Sequence, residues 1–174
     1  MNGKPGDKQL ITYQNLYLDI RRQFLRAGFP GAGLEAREIV CFGSGKTREE
    51  FYRDSPLYTS PEIEEAVRAL AERHTGGEPV AYLIGEWEFY GLTLEVTPAV
   101  LIPRADTEVL AEAAVEFAGR MERCRLLDLC TGSGCVGLAA AANVPGCRVL
   151  LGDVSEKALE VCRRNVRRCG LADR

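Results

Sequence analysis

The sequence predicts an all-α segment followed by a doubly wound α/β segment, and three observations carry that prediction. Apolar residues recur at helical spacing up to about residue 75. The rhythm changes near Gly85 to the period-two alternation of strands. A strand, glycine loop, helix, strand, helix succession then fills the last fifty or so residues, the alternation that builds parallel sheets.

Taken in order, Thr12 is placed to cap a first helix whose apolar positions are Tyr13, Leu16, Ile20 and Phe24, and Gly28 ends it. Leu34 to Phe42 fits a second short helix. Thr47 and Glu50 form the capping-box pattern of a third. Ser60, with Pro61 at the first helical position, opens a fourth with the stripe Ile63, Val67, Leu70, which runs out before Gly76-Gly77. Trp87, Phe89, Leu92, Leu94 and Val96 around Gly91 read as a β-hairpin, with Leu92, Leu94 and Val96 on one face. A helix is expected from about Thr107 to Met121, burying Val109, Leu110, Ala113, Ala114 and Phe117. Leu126–Cys130 and Val149–Gly152 are short apolar strands, Cys135–Ala142 is a helix of small residues, and Ser155–Cys169 is amphipathic with Leu159, Cys162 and Val166 inward. Two parallel strands are few for an open sheet covered on both faces, so the α/β segment reads as the first part of a larger domain.

Composition narrows the function classes. The chain has 174 residues and a formal net charge of -3, which does not favour a free-standing nucleic-acid binder. Seven cysteines show no C-x-x-C pair and there is one histidine, so no zinc site is supported; free thiols and a reducing, cytoplasmic setting are expected. The start, MNGKPGDKQLITYQ, lacks the apolar core of a signal peptide, and no apolar run is long enough to span a bilayer.

The chemistry-bearing stretch is LLDLCTGSG, Leu126 to Gly134, followed by Gly152-Asp153-Val154-Ser155. Glycines between a strand and a helix let backbone approach a ligand, and a carboxylate at the end of the next strand can accept both hydroxyls of a ribose. Dinucleotide loops use three spaced glycines for pyrophosphate; here Cys130 takes the first position, and Asp128 would repel a pyrophosphate. A cationic sulfonium ligand tolerates such acids, which favours S-adenosylmethionine over a nicotinamide cofactor. Gly43-Ser44-Gly45-Lys46-Thr47 mimics the end of a P-loop, but Val40 stands where its first glycine belongs and the preceding pattern is helical. His74 reads as a hydrogen-bonding helix end, and Arg163, Arg164, Arg167 and Arg168 as a solvated stripe suited to a helix C-terminus.

Together GEPVAYLIGEWEFYG, VLIPRADTEVL, LLDLCTGSGCVGLAAA and DVSEKALEVCRRNV resemble the HemK/PrmC family of protein-(glutamine-N5) methyltransferases acting on peptide chain release factors. The LIPR-x-x-TE stretch upstream of the glycine loop is the specific part, since methyltransferases in general share only the loop. The resemblance implies a helical release-factor-docking domain over residues 1–83, a hairpin linker over 84–104, and the start of a class I (Rossmann-like) methyltransferase domain over 105–174. It implies cofactor contacts from Cys130, Thr131, Gly132, Ser133 and Gly134, ribose binding by Asp153, and an active-site border at Arg104, Thr107 and Glu108. Ala105 and Cys130 depart from the commoner proline and glycine. The family's Asn-Pro-Pro-Tyr motif, which would hold the glutamine amide, does not occur between Met1 and Arg174, so no catalytic residue is expected within this chain and these residues alone are expected to be inactive. A DNA or other amino-methyltransferase and a non-catalytic docking fragment remain as alternatives.

Overall fold

The structure is a computed structural model and describes residues 10–174; the N-terminal stretch read above as lacking a leader lies mostly outside them. The chain divides into two compact units, Met1–Ile84 and Gly85–Arg174.

The first unit is helical. In α1 (Tyr13–Arg26), α3 (Arg48–Asp54) and α4 (Pro61–Thr75) the caps are those the sequence indicates. The Asn15 N–H donates to Thr12 Oγ1 at 3.2 Å, the Ile63 N–H to Ser60 Oγ at 3.3 Å, and Thr47 and Glu50 close a reciprocal box. Between them α2 (Ala32–Ser44) ends at Gly45, whose φ of 66° supplies the left-handed turn. A short α5 (Val80–Ile84) follows, too brief to show a period in the sequence. Leu16, Ile20, Phe24, Ile39, Val40, Val67 and Ala71 form the core. No strand occurs here among the described residues; one antiparallel bridge, Thr12 to Tyr58, ties the start of α1 to the segment after α3.

Two expectations resolve in this unit. The Gly43–Thr47 stretch joins α2 to α3, and Lys46 donates to Asp54 at 2.8 Å and lies 5.0 Å above the Tyr13 ring, so it is a helix connection with its lysine already committed. His74 is buried, donates from Nδ1 to the Glu78 carbonyl at 2.8 Å, and packs between the Phe24 and Phe29 rings.

The second unit opens with the hairpin β1 (Glu86–Phe89) and β2 (Leu92–Glu95). Tyr90 and Gly91 both have positive φ, 49° and 76°, the turn whose twist matches that of paired strands. Then come α6 (Ala105–Gly119), β3 (Cys124–Leu129), α7 (Cys135–Asn143), β4 (Cys147–Gly152) and α8 (Glu156–Arg168). β3 and β4 are parallel, in register from Cys124 opposite Cys147 to Leu129 opposite Gly152. Val149 and Leu151 lie beneath α7, where Gly137 permits contact: a Cβ there would fall 2.4 Å from Leu151 Cδ2. The other face carries Leu127, Leu129 and Leu150, exposed at 56%, 68% and 69%.

Two stripes differ from the sequence reading. On α6 the buried residues are Ala111 and Ala118, while Val109, Leu110, Ala113 and Phe117 are exposed and Ala114 is half-buried. α6 is apolar on more than one face, and the face of small side chains makes the closer approach, so size decided what hydrophobicity left open. On α8 the basic stripe is only partly solvated. Arg164 Nε donates to both Glu95 oxygens at 2.8 and 3.0 Å, and Arg168 pairs with Glu86. Glu86 and Glu95 are direct cross-strand partners, a placement that repels. Two arginines one helical turn apart neutralise both, and so seat the hairpin on α8.

The packing of α2 on α4 gives a test. A Cβ on Gly43 would lie 2.7 Å from Val67 Cγ2 and 3.3 Å from the Val67 Cα. Gly→Ala inside a helix gains ~0.5–1 kcal/mol of propensity, whereas overpacking costs ~1–3 kcal/mol. Gly43→Ala is therefore expected to destabilise the helical unit by about 1–2 kcal/mol in a urea titration; unchanged or higher stability would show that the two helices separate freely.

Candidate cofactor site

The loop of residues 130–134 links β3 to α7, and its geometry is set by left-handed backbone and by partners from neighbouring elements. Cys130, Gly132 and Gly134 all have positive φ, 59°, 54° and 87°. At Gly134 the constraint is double, since a Cβ would also lie 3.0 Å from both Cys162 Sγ and Leu138 Cδ1. One loop bond is internal, from the Gly134 N–H to the Thr131 carbonyl at 2.8 Å. The Thr131 N–H donates to the Gly152 carbonyl at 3.0 Å, and side chains supply further partners. Asp153, just past the end of β4, accepts from the Gly132 N–H through Oδ2 and from the Ser155 N–H through Oδ1, each at 2.9 Å. Asp128, within β3, accepts from Thr131 Oγ1 at 2.7 Å and from the Gly137 N–H at 3.0 Å, both through Oδ2.

These bonds set the electrostatics. The Ser155 and Gly132 N–H groups hold the Asp153 carboxyl below its ordinary 3.8. A depressed folded value means that the ionised carboxylate stabilises the loop at neutral pH, and that this contribution is lost as pH falls below about 4. A carboxylate offers about four lone-pair directions, so Asp153 retains capacity to accept from two vicinal hydroxyls of a ligand. Burial pushes the neighbouring thiols up, Cys162 to about 11, and Cys135 in the same direction. Both stay protonated near neutrality, so neither supplies a thiolate nucleophile.

The structure thus brings Cys130, Thr131, Gly132, Ser133, Gly134 and Asp153 to one place, with Cys130 exposed and Thr131, Ser133 and Gly134 buried. Glu108 meets the hairpin instead: its Oε1 accepts from the Tyr90 N–H at 3.0 Å, holding the strained tip of the turn. Arg104 is exposed and precedes α6 as its N-cap, with no side-chain capping bond, and Thr107 donates its N–H to the Arg104 carbonyl at 2.9 Å. Neither side chain bonds to the loop among the described residues. The sequence reading passed over Asn165, which is fully buried and donates to the Ser133 carbonyl at 2.9 Å. Its signal was an amide inside the buried stripe Ala158, Val161, Cys162, Asn165 of α8; a buried polar group requires partners. Among the described residues no cluster of His, Cys, Asp or Glu could hold a metal ion, and no helix is long and apolar enough to cross a membrane.

The left-handed Cys130 is testable. A non-glycine residue pays ~1–2 kcal/mol for that conformation, and glycine brings ~0.5–1 kcal/mol of unfolded-state entropy. Cys130→Gly is expected to stabilise the α/β unit by about 0.5–1 kcal/mol and Cys130→Val to destabilise it by more, both read from denaturant midpoints; the reverse order would contradict the loop geometry.

Comparison with known proteins supplies independent findings. Residues 15–85 match the family model of the PrmC N-terminal domain, and residues 105–173 match a lysine methyltransferase family model. The chain is 39% identical over 133 residues to the release factor glutamine methyltransferase of Thermodesulfovibrio yellowstonii, covering 75% of this chain and 47% of that one. It is 40% identical over 137 residues to that of Bordetella pertussis, covering 79% and 51%. For that of Koribacter versatilis the figures are 42% over 164 residues, 91% and 56%. The chain spans about half the length of the curated relatives it matches. A PrmC N-terminal domain followed by a methyltransferase segment, with this likeness running through both, means that the chain belongs to the HemK/PrmC family.

Proposed function

We propose that the protein represented by this chain methylates the side-chain amide nitrogen of a glutamine in a peptide chain release factor, in the cytoplasm, using S-adenosyl-L-methionine. The observation that carries the cofactor half of this reading is the Asp153 carboxylate. It is hydrogen-bonded to the glycine loop at Gly132 and still able to accept from a ribose. The acceptor half rests on the relatives' names and on the PrmC N-terminal match at residues 15–85.

In this reading each residue binds or orients. Gly132 and Gly134 let loop backbone come close to the cofactor, and Asp153 accepts the ribose hydroxyls. Cys130, Thr131 and Ser133 complete the loop wall. Asp128 and Asp153 make the surroundings acidic, which suits a cation. When bound, S-adenosylmethionine supplies an electrophilic methyl group. Arg104, Thr107 and Glu108 border the cleft, Glu108 by fixing the hairpin tip through Tyr90. An amide nitrogen is a weak nucleophile, so positioning and water exclusion must supply much of the rate. The Asn-Pro-Pro-Tyr stretch that would hold the amide does not occur in residues 1–174, so these residues alone are not expected to transfer methyl groups. Residues 1–83 are assigned to release-factor docking, 84–104 to the connection, and 105–174 to the cofactor. No nucleic-acid contact is needed.

The match of residues 105–173 to a lysine methyltransferase family model favours a second reading, in which the acceptor is a lysine. Labelled cofactor, the whole protein and a purified release factor separate the two. Methyl mapped to a glutamine by mass spectrometry supports the first reading, methyl on a lysine the second, and none on either overturns both. For the cofactor site, Asp153→Ala in the whole protein is expected to weaken S-adenosylmethionine binding by about 1.5–3 kcal/mol, the scale of hydrogen bonds to a charged group. Unchanged affinity in calorimetry would remove Asp153 from the site.

A further inference from the structure

Asn165 uses its carboxamide in a way that links two elements far apart in sequence. Its Oδ1 accepts from the Glu95 N–H at 2.6 Å, and its Nδ2 donates to the Glu95 carbonyl at 3.0 Å and to the Ser133 carbonyl at 2.9 Å. The orientation of the amide is fixed by these partners, because one neighbour is a donor and two are acceptors. Towards Glu95 the side chain behaves as a third strand would, satisfying the outward backbone groups of β2. Towards the loop it holds the carbonyl side of the peptide between Ser133 and Gly134, whose N–H side is held by the Thr131 carbonyl at 2.8 Å.

We propose that Asn165 is a positioning residue for the cofactor loop: one buried amide holds the Ser133 carbonyl and the backbone of Glu95 together, so the loop is set only when the hairpin is seated on α8. The proposal rests on reading the loop as the cofactor site. Asn165 touches no cofactor itself; it acts through the orientation of a loop peptide. The titratable groups around it are Glu95 on β2 and Cys162 and Arg164 on α8. Cys162 is held protonated by burial, and Arg164 is paired with Glu95.

The test is Asn165→Asp, which keeps the shape and one acceptor but loses the donor when ionised. Single-amide hydrogen exchange on this chain and S-adenosylmethionine titration of the whole protein are measured beside the wild type at each pH, with the Val149 amide as an internal reference. At pH 8 the variant is expected to lose protection at Glu95 and Gly134 together, by about tenfold or more, and affinity by about five- to tenfold, the scale of one or two lost hydrogen bonds. Val149 should stay protected. At about pH 5.5 both losses should shrink to roughly twofold, because a carboxyl buried among carbonyls titrates high and donates again once neutral. Asn165→Ser, with a smaller donor, should lie between and serves if the aspartate variant does not fold at pH 8. Wild-type exchange at Gly134 in both variants, or losses with no recovery at low pH, would overturn the positioning role. A wild-type protein that protects Gly134 yet binds no S-adenosylmethionine would overturn the cofactor reading, while the exchange data would still decide the link.

Discussion

The left-handed loop of residues 130–134 closes one hydrogen bond on its own backbone, and the α/β unit is arranged around this constraint. Three side chains from three elements supply what the loop lacks: Asp128 from β3, Asp153 from beyond β4 and Asn165 from α8. Each meets a different peptide group, and each is in turn placed by packing that has no direct part in binding. Gly137 lets α7 lie close against Val149 and Leu151, which sets the distance at which Asp128 can reach the helix start. The hairpin, secured by Glu108 at its tip and by Arg164 and Arg168 at its open end, gives Asn165 its second set of partners.

Much of the fold was legible because its signals are local. A hydroxyl three residues before a backbone N–H, as at Thr12, Thr47 and Ser60, makes a cap whatever surrounds it. The turn at Tyr90-Gly91 and the alternation of Leu92 and Leu94 are likewise properties of a few neighbours. The glycine loop and Asp153 stood out because positive φ and a strand-end carboxylate leave few choices of residue. What stayed hidden depends on partners distant in sequence. The spacing of Leu110 and Phe117 is right for burial, yet whether they are covered is decided by which face of α6 meets α7. Arg164 and Arg168 look like solvated charges until two glutamates some seventy to eighty residues earlier are brought beneath them. Asn165 was hidden for the same reason, with both partners far from it along the chain.

The two-stranded sheet is covered by helices on one side, and its other side presents Leu127, Leu129 and Leu150 to solvent. Parallel strands are ordinarily covered on both faces. The apolar run of β3 follows that habit, since its outward residues are as hydrophobic as a buried face requires. Arg125 and Arg148, register partners at the far end of the same strands, mark where that apolar surface gives way to a polar rim.

The ion pair between Glu86 and Arg168 spans 82 residues of sequence, and the one between Glu95 and Arg164 spans 69. The order of events during synthesis follows from those separations. The helical unit closes through neighbouring helices, and contacts of short range form fast. The hairpin emerges next and must wait, paired with itself and unseated, for about seventy further residues to leave the ribosome. At elongation rates of roughly 5–20 residues per second the wait lasts several seconds, far longer than the microseconds a hairpin needs to form. During that interval Glu86 and Glu95 face each other without their arginines, so this hairpin opens and closes many times before α8 arrives to capture it.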